Sequence, residues 1–234
     1  MASLTIENYV KAIYSLTADN DNATATTGAV AAMLRVSPSS VTSMLKTLHE
    51  SELAEHKPYE GVRLTDKGSK LALRVLRRHR LIELFLHRTL QLSWDEVHEE
   101  AEHMEHAVSD LLVDRIDEFL GFPGIDPHGD PIPRSDGSVS AVRHATLSEL
   151  PPQTRFRVER VLDQSPEFLR YLADIGLVIG AEGRILGNCS TAGTITICMH
   201  ADDPKNDSDA EPPLHGRTTL GHSSAAKLLA AAVG

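Results

Sequence analysis

The stretch His98-Glu99-Glu100-Ala101-Glu102-His103-Met104-Glu105-His106 concentrates the side chains that bind divalent cations. In an α-helix, at about 100° per residue, Glu102, Glu105 and His106 share one face within an arc of roughly 100°, so two carboxylates and an imidazole can converge on one point. Hard oxygen donors plus an imidazole, with no thiolate, suit Mn(II) or Fe(II). An oxygen donor from the first helix would complete such a sphere, and Asn8 is the candidate. His98 points to nearly the same side one turn earlier, while His79 and Glu83 form an i, i+4 pair on a preceding long helix; these three are candidates for a second site. A helix rich in Asp, Glu and His is ordinarily a solvated face, and Glu-x-x-Glu-His alone favours that plainer reading.

The elements upstream argue for more. Ile6, Tyr9, Val10, Ile13 and Tyr14 repeat at helical spacing behind a capping Thr5, and the polar turn Ala18 to Asn22 ends that helix. Thr27 opens a short second helix with Val30, Ala31 and Leu34 inward. Ser37-Pro38 then reads as a cap followed by proline at the first helical position. In the third helix Val41, Met44, Leu45 and Leu48 fall on one face, leaving Ser39, Ser40, Thr42, Ser43 and Lys46 on the other. Two short helices across a tight turn predict a helix-turn-helix whose second helix enters the major groove. Leu53-His56 and Val62-Leu64 predict a wing hairpin around Pro58-Gly61, and Thr65 caps a long helix to about Leu90. The DNA-facing set is therefore Thr27, Ser37, Pro38, Ser39, Ser40, Thr42, Ser43 and Lys46, with Arg63 and Lys67 on phosphates.

The formal net charge of -10 suits this only once resolved along the chain. From Arg35 to Arg88 there are 11 Lys/Arg and 6 Asp/Glu, a balance of +5, so the remainder carries -15. The amphipathic, Lys11-containing opening fits neither a signal peptide nor a membrane span. Cys189 and Cys198 lack the spacing of a disulfide framework or thiolate zinc site. A cytoplasmic protein that avoids membranes is expected. No nucleophile or phosphate-cradling glycine loop accompanies the acidic helix, so an enzyme is not expected.

The architecture expected is mainly α with small β elements: a winged helix-turn-helix over 1–73, a helical metal-binding and dimerisation domain over 74–138, a linker over 139–149, and a small β-barrel-like domain over 150–234. Leu71, Val75, Leu81, Leu84 and Phe85 form an apolar face that needs a partner surface, which homodimerisation supplies, setting two recognition helices on two half-sites. The segment from Phe122 to about Glu149, rich in Pro, Gly, Asp and Ser, reads as loop and linker. Strands are predicted at Arg155-Val161, Gly183-Leu186 and Thr194-Met199, a helix at Pro166-Ile175, and a polar insert at Asp202-Pro213.

These residues resemble the diphtheria-toxin-repressor family of metalloregulators, including its manganese-responsive branch. The resemblance is carried by Glu7-Asn8-Tyr9, Pro38-Ser39-Ser40-Val41-Thr42, Leu64-Thr65-Asp66-Lys67-Gly68, Arg78-His79-Arg80-Leu81 with Glu83, Val97-His98 to His106-Ala107, and Asp126-Pro127-His128-Gly129 with Pro131-Ile132-Pro133. It implies a repressor controlling metal-homeostasis genes from a palindromic operator as a homodimer, with an SH3-like (FeoA-type) third domain. It implies a primary site of Asn8, Glu102, Glu105 and His106, and an ancillary site of His79, Glu83 and His98 completed from the third domain by Gln164 and Glu167, with Asp163 as substitute. Glu102, where iron-responsive members often carry sulfur, leans toward Mn(II), with Fe(II) the alternative. Lys11 stands where manganese-branch members usually carry a carboxylate, and a protonated lysine cannot ligate. A winged-helix regulator answering to a small organic effector is the competing reading, and a Pro-rich segment, such as that around Pro131-Ile132-Pro133, is a possible occupant of the third domain.

Overall fold

A computed structural model of the chain describes residues 4–18, 24–57, 60–140, 144–199 and 217–233. The wing residues Pro58 and Tyr59, most of the turn after the first helix and the insert Asp202-Pro213 lie outside the described residues. The chain divides into two compact units, one of residues 1–82, 101–124 and 132–140, the other of 83–100, 125–131 and 141–234.

The first unit opens with α1 (Leu4–Thr17), α2 (Thr27–Leu34) and α3 (Pro38–Glu50). Thr26 caps α2 by accepting from the Ala29 amide, and Arg35, at φ 53°, reverses the chain in the left-handed conformation. Ser37 caps α3 through the Ser40 amide, ahead of Pro38. Val10, Ile13, Val30, Val41, Leu45 and Leu48 are fully buried together, which accounts for the apolar spacing. The wing is β1 (Ala54–Lys57) antiparallel to β2 (Gly61–Leu64), with Ala54 opposite Leu64 and Lys57 opposite Gly61. Ala25 exchanges both backbone hydrogen bonds with Val62 on the other side of β2. Thr65 then caps α4 (Asp66–Leu90) by accepting from the Gly68 amide. A β-carbon at Gly68 would stand 1.9 Å from the Leu53 carbonyl oxygen, so only glycine lets α4 start this close to the wing.

Two expectations change. The 73/74 boundary lies inside α4, the continuous helix of 25 residues expected between Thr65 and about Leu90. The apolar face of α4 is filled within the chain: Val75 and Leu81 are fully buried and Leu84 nearly so. The unsatisfied apolar surface lies instead on and just after α6 (Asp110–Phe119), where Leu111, Phe119 and Phe122 are exposed. The helix bearing the cation-binding residues, α5 (Val97–Met104), stops at Met104, and Glu105 and His106 sit in the turn that follows. The Glu105 amide still donates to the Ala101 carbonyl at 2.8 Å, so Glu105 keeps its helical direction.

The second unit is a six-stranded antiparallel sheet in the order β3-β8-β4-β5-β6-β7, formed by β3 (Ala145–Thr146), β4 (Arg155–Val161), β5 (Glu182–Cys189), β6 (Thr194–Met199), β7 (Arg217–Gly221) and β8 (Leu228–Val233), with α7 (Pro166–Asp174) after β4 and α8 (His222–Ala225) before β8. This is the SH3-like domain, its sheet open between the two end strands. Phe156, Val158, Leu169, Leu172, Ile185, Ile195 and Leu228 fill its core. Residues 145–149, expected in a linker, are β3 and a 3-10 turn whose Leu147 is fully buried. Trp94 also packs into this core, which draws the chain around it into the second unit.

Candidate metal centre and nucleic-acid interface

In the first unit the side chains of α1, α4 and the α5 terminus meet. Glu105 is fully buried, its Oε2 accepting from His79 Nδ1 at 2.6 Å and its Oε1 from the Lys11 ammonium at 2.7 Å. Lys11 also reaches Glu102 Oε1 at 2.6 Å. His106 turns Nε2 toward Asn8 Oδ1 at 2.6 Å and Glu105 Oε1 at 3.2 Å, while Nδ1 donates to Glu7 Oε2 at 2.7 Å. Burial alone would push the Glu105 carboxyl up; the hydrogen bond and charge of His79, with the Lys11 ammonium, outweigh it and hold the carboxyl below its usual range. His79, Glu102 and Glu105 each offer a donor atom within 4.8 Å of the others.

The structure thus brings Asn8, Glu102, Glu105 and His106 together. It adds three residues that periodicity does not reveal, because their partners are distant in the chain. His79, assigned from its helix to the second set, bonds Glu105. Glu7 orients the His106 ring, as carboxylates behind metal-binding histidines do. Lys11 supplies a tethered positive charge between the two carboxylates. The donor set, two carboxylates, an amide oxygen and two imidazoles, fits a hard to intermediate divalent cation.

In the second unit Glu83 Oε1 faces His98 Nδ1 at 3.2 Å. The three third-domain ligands suggested by resemblance go elsewhere. Gln164 donates its amide to Asp130 Oδ2 at 2.8 Å, Glu167 is exposed in the first turn of α7, and Asp163 accepts from Lys227 at 2.7 Å. Among the described residues no cation-holding group includes Asp163 or Glu167.

A solved manganese-dependent transcriptional repressor, in complex with manganese, superposes on this chain with a TM-score of 0.83 at 36% identity, covering 97% of this chain and 100% of its own. The chain belongs to the diphtheria-toxin-repressor family. Residues 1–62 match the N-terminal DNA binding domain of the iron dependent repressors, residues 65–134 their metal binding and dimerisation domain, and residues 145–202 the FeoA domain. The iron-dependent repressor IdeR of Mycobacterium leprae is 29% identical over 234 residues, 94% of each chain. The regulator MntR of Bacillus subtilis is 33% identical over 122 residues, 52% of this chain and 84% of its own.

α3 presents Ser39, Ser40, Thr42, Ser43 and Lys46 to solvent. The Ser37 hydroxyl is engaged as the cap and lies 2.8 Å from the hydroxyls of Ser39 and Ser40; Thr42 donates back to the Pro38 carbonyl. Thr27 is half-buried. Arg63 grips Glu55 Oε2 through two nitrogens, at 2.9 and 2.6 Å, and Lys67 donates to the Ser51 carbonyl at 3.0 Å. Much of the basic excess of α4 is also neutralised within the unit: Arg74 and Arg78 pair with Asp110, and Arg77 with Asp114 and Asp117. The field available to DNA is weaker than the count of Lys and Arg implies. Among the described residues no helix is long and apolar enough to cross a membrane.

Proposed function

We propose that this repressor is a cytoplasmic Mn(II) sensor, with Fe(II) as the alternative activator, and that it reads a palindromic operator as a homodimer. The observation that carries the reading is the convergence of Asn8 from α1, His79 from α4, and Glu102, Glu105 and His106 from α5 and its terminal turn, in the unit that also holds α3. A bound cation supplies compact positive charge at which oxygen and imidazole donors from separate elements meet. Lys11 now occupies part of that role and must withdraw from Glu102 and Glu105 when they ligate. Glu7 keeps the His106 ring in place with Nε2 facing the cluster. Asn8 belongs to α1, whose buried residues pack with those of α2 and α3, so fixing Asn8 restrains the recognition helix and biases the chain toward its DNA-binding state.

His79, Glu83 and His98 remain the proposed ancillary set, supported by the one-turn spacing of His79 and Glu83 on α4 and by the Glu83–His98 contact. The exposed apolar side chains Leu111, Phe119 and Phe122 provide the dimerisation surface. Ser39, Ser40, Thr42 and Ser43 face the groove, with Thr27 and the Ser37-Pro38 cap at its edge, while Lys46, Arg63 and Lys67 exchange their carboxylate and carbonyl partners for phosphates. Short hydroxyl side chains discriminate bases weakly, so DNA shape carries much of the selectivity.

The test is retention of DNA from a random-sequence pool at fixed salt under anaerobic conditions, with chelator, Mn(II) or Fe(II). Wild type should enrich a two-fold symmetric site only with metal, a gain of about 5- to 150-fold, and Glu105→Ala and Glu105→Gln should lose that gain. Enrichment indifferent to chelator would remove the metal switch.

A further inference from the structure

We propose that the outer face of the second unit's sheet binds an oxyanion of the phosphate class, held between Arg155 of β4 and Arg184 of β5. The strand register places these two residues directly opposite each other, so both side chains leave the same face. Phe156, Val158, Ile185 and Ile197, at alternate positions on the same strands, fill the core, which puts the arginines on the outside. The Ile185 amide donates to the Thr154 carbonyl at 2.9 Å. With the ladder bond there, Arg155 and Arg184 form a non-hydrogen-bonded pair, the closer of the two antiparallel kinds, with Cα atoms about 4.5 Å apart. The row continues through Cys198 of β6 to Arg217 of β7, two strands and about 10 Å beyond Arg184.

The observation that carries the proposal is a missing countercharge. One step along the same two strands, Arg157 stands opposite Glu182 and grips its Oε1 through Nε at 2.9 Å and Nη2 at 2.7 Å, a favourable cross-strand pair. The adjoining row sets two cations against each other instead, an arrangement that destabilises a sheet. Neither the Arg155 nor the Arg184 side chain has an ion-pair or hydrogen-bond partner among the described residues. Arg184 is half-buried, and its Nε is buried outright with nothing to accept its proton, a condition native proteins rarely keep without a reason. An oxyanion accepting from both guanidiniums answers both points: it cancels the like charges and gives the Nε–H an acceptor.

The donor chemistry selects the ligand. A guanidinium is a planar fork that stays charged at every physiological pH and matches phosphate oxygens two at a time. Two forks rising from neighbouring strands offer donors in more than one plane, which suits a tetrahedral anion better than a flat carboxylate. A phosphate group also carries nearly two negative charges at neutral pH, enough to balance the pair. The surroundings do not oppose it. On the same face Val233 lies opposite Arg155 and Ala231 opposite Arg157, and Thr196 and Thr219 lie opposite each other with their hydroxyls 3.1 Å apart. Glu182 is occupied by Arg157, and Arg217 brings a third guanidinium to the far end of the row. All of these residues belong to the second unit, so the site stands apart from the metal cluster and the recognition helix.

The experiment uses the full chain, labelled with 15N-arginine and stripped of metal, and follows the guanidinium Nε–H resonances as sodium phosphate replaces sodium chloride at constant pH and ionic strength. The Arg155 and Arg184 resonances, assigned through their own side-chain connectivities, should shift along one saturating curve. Arg115, exposed and paired with Glu118 on α6, should stay in place. Arg184→Gln should weaken phosphate binding read at Arg155 about tenfold or more, and Arg155→Gln should do the same at Arg184. Arg155→Lys, which keeps the charge and loses the fork, should also bind more weakly than wild type. A shift that never saturates, or that Arg115 shares, would reduce the effect to general ion screening and overturn the site. A response to duplex DNA without one to inorganic phosphate would overturn it as well, turning this face into a contact for the DNA backbone. The wild-type resonances decide between these results even where a variant fails to fold.

Discussion

In the first unit the buried Glu105 is met by Lys11 and His79, whereas in the second the buried Glu83 and Asp126 stand beside an imidazole whose Nδ1 has no hydrogen-bond partner among the described residues. Both clusters combine carboxylates with histidine, yet they are held differently. In the first, a tethered ammonium forms short ion pairs with Glu102 and Glu105. In the second, backbone hydrogen bonds and the left-handed Gly129 fix the loop. On the proposed reading, a cation entering the first cluster displaces the Lys11 ammonium, so its threshold depends on a residue that is not itself a ligand.

The largest effect that would break this contrast is Gly129→Ala. Its β-carbon has no room beside Glu159 and its φ is unfavourable, so the variant should lose about 3 kcal/mol or more of stability, read by urea denaturation. The first-unit cluster should keep its Mn(II) affinity. Next in size, Lys11→Gln removes the competing charge from Glu102 and Glu105. Apparent Mn(II) affinity at that cluster should rise on the order of tenfold; equal affinity in both proteins would deny Lys11 its competitive role. The smallest effect concerns the exposed ion pairs of the same unit. Hydrogen bonds from Arg78 and Arg74 hold the Asp110 carboxyl below its usual range. Because the folded-state value is depressed, its contribution is complete above the ordinary aspartate value of about 3.9 and fades as pH falls through the depressed one. Asp110→Asn should therefore be less stable near neutrality by no more than about 1 kcal/mol, and the gap should close in acid. Urea midpoints across that range test the sign.

The same contrast shows what the sequence makes legible. The helix-turn-helix is local: the Ser37-Pro38 cap and the Val41, Leu45, Leu48 spacing specify α3, and Thr65 marks the start of α4. The spacing of Glu102, Glu105 and His106 points to the first cluster even though α5 stops at Met104, because the following turn keeps Glu105 in a helical direction. Lys11 and Glu7 complete that cluster from about ninety residues away, a relation that no local period encodes. The second cluster is hidden for another reason. His128 stands in a Pro- and Gly-containing stretch that reads as loop, yet residues 126–130 are all buried, with the His128 carbonyl bonded to the Val161 amide and Gly129 close against Glu159 of β4. Leu228–Val233, half alanine, likewise carries little strand signal, and its pairing with β3 and β4 decides its structure.

On the proposed reading, the first-unit cluster and the recognition helix are two ends of one equilibrium. Linkage makes it directly measurable: the factor by which Mn(II) tightens operator binding must equal the factor by which operator tightens Mn(II) binding. Titrating Mn(II) into the full chain with and without its selected operator should give a matched pair of factors, both lost in Glu105→Gln. An Mn(II) affinity indifferent to operator would contradict the account, leaving a metal-binding protein and a DNA-binding protein in one chain without a switch between them.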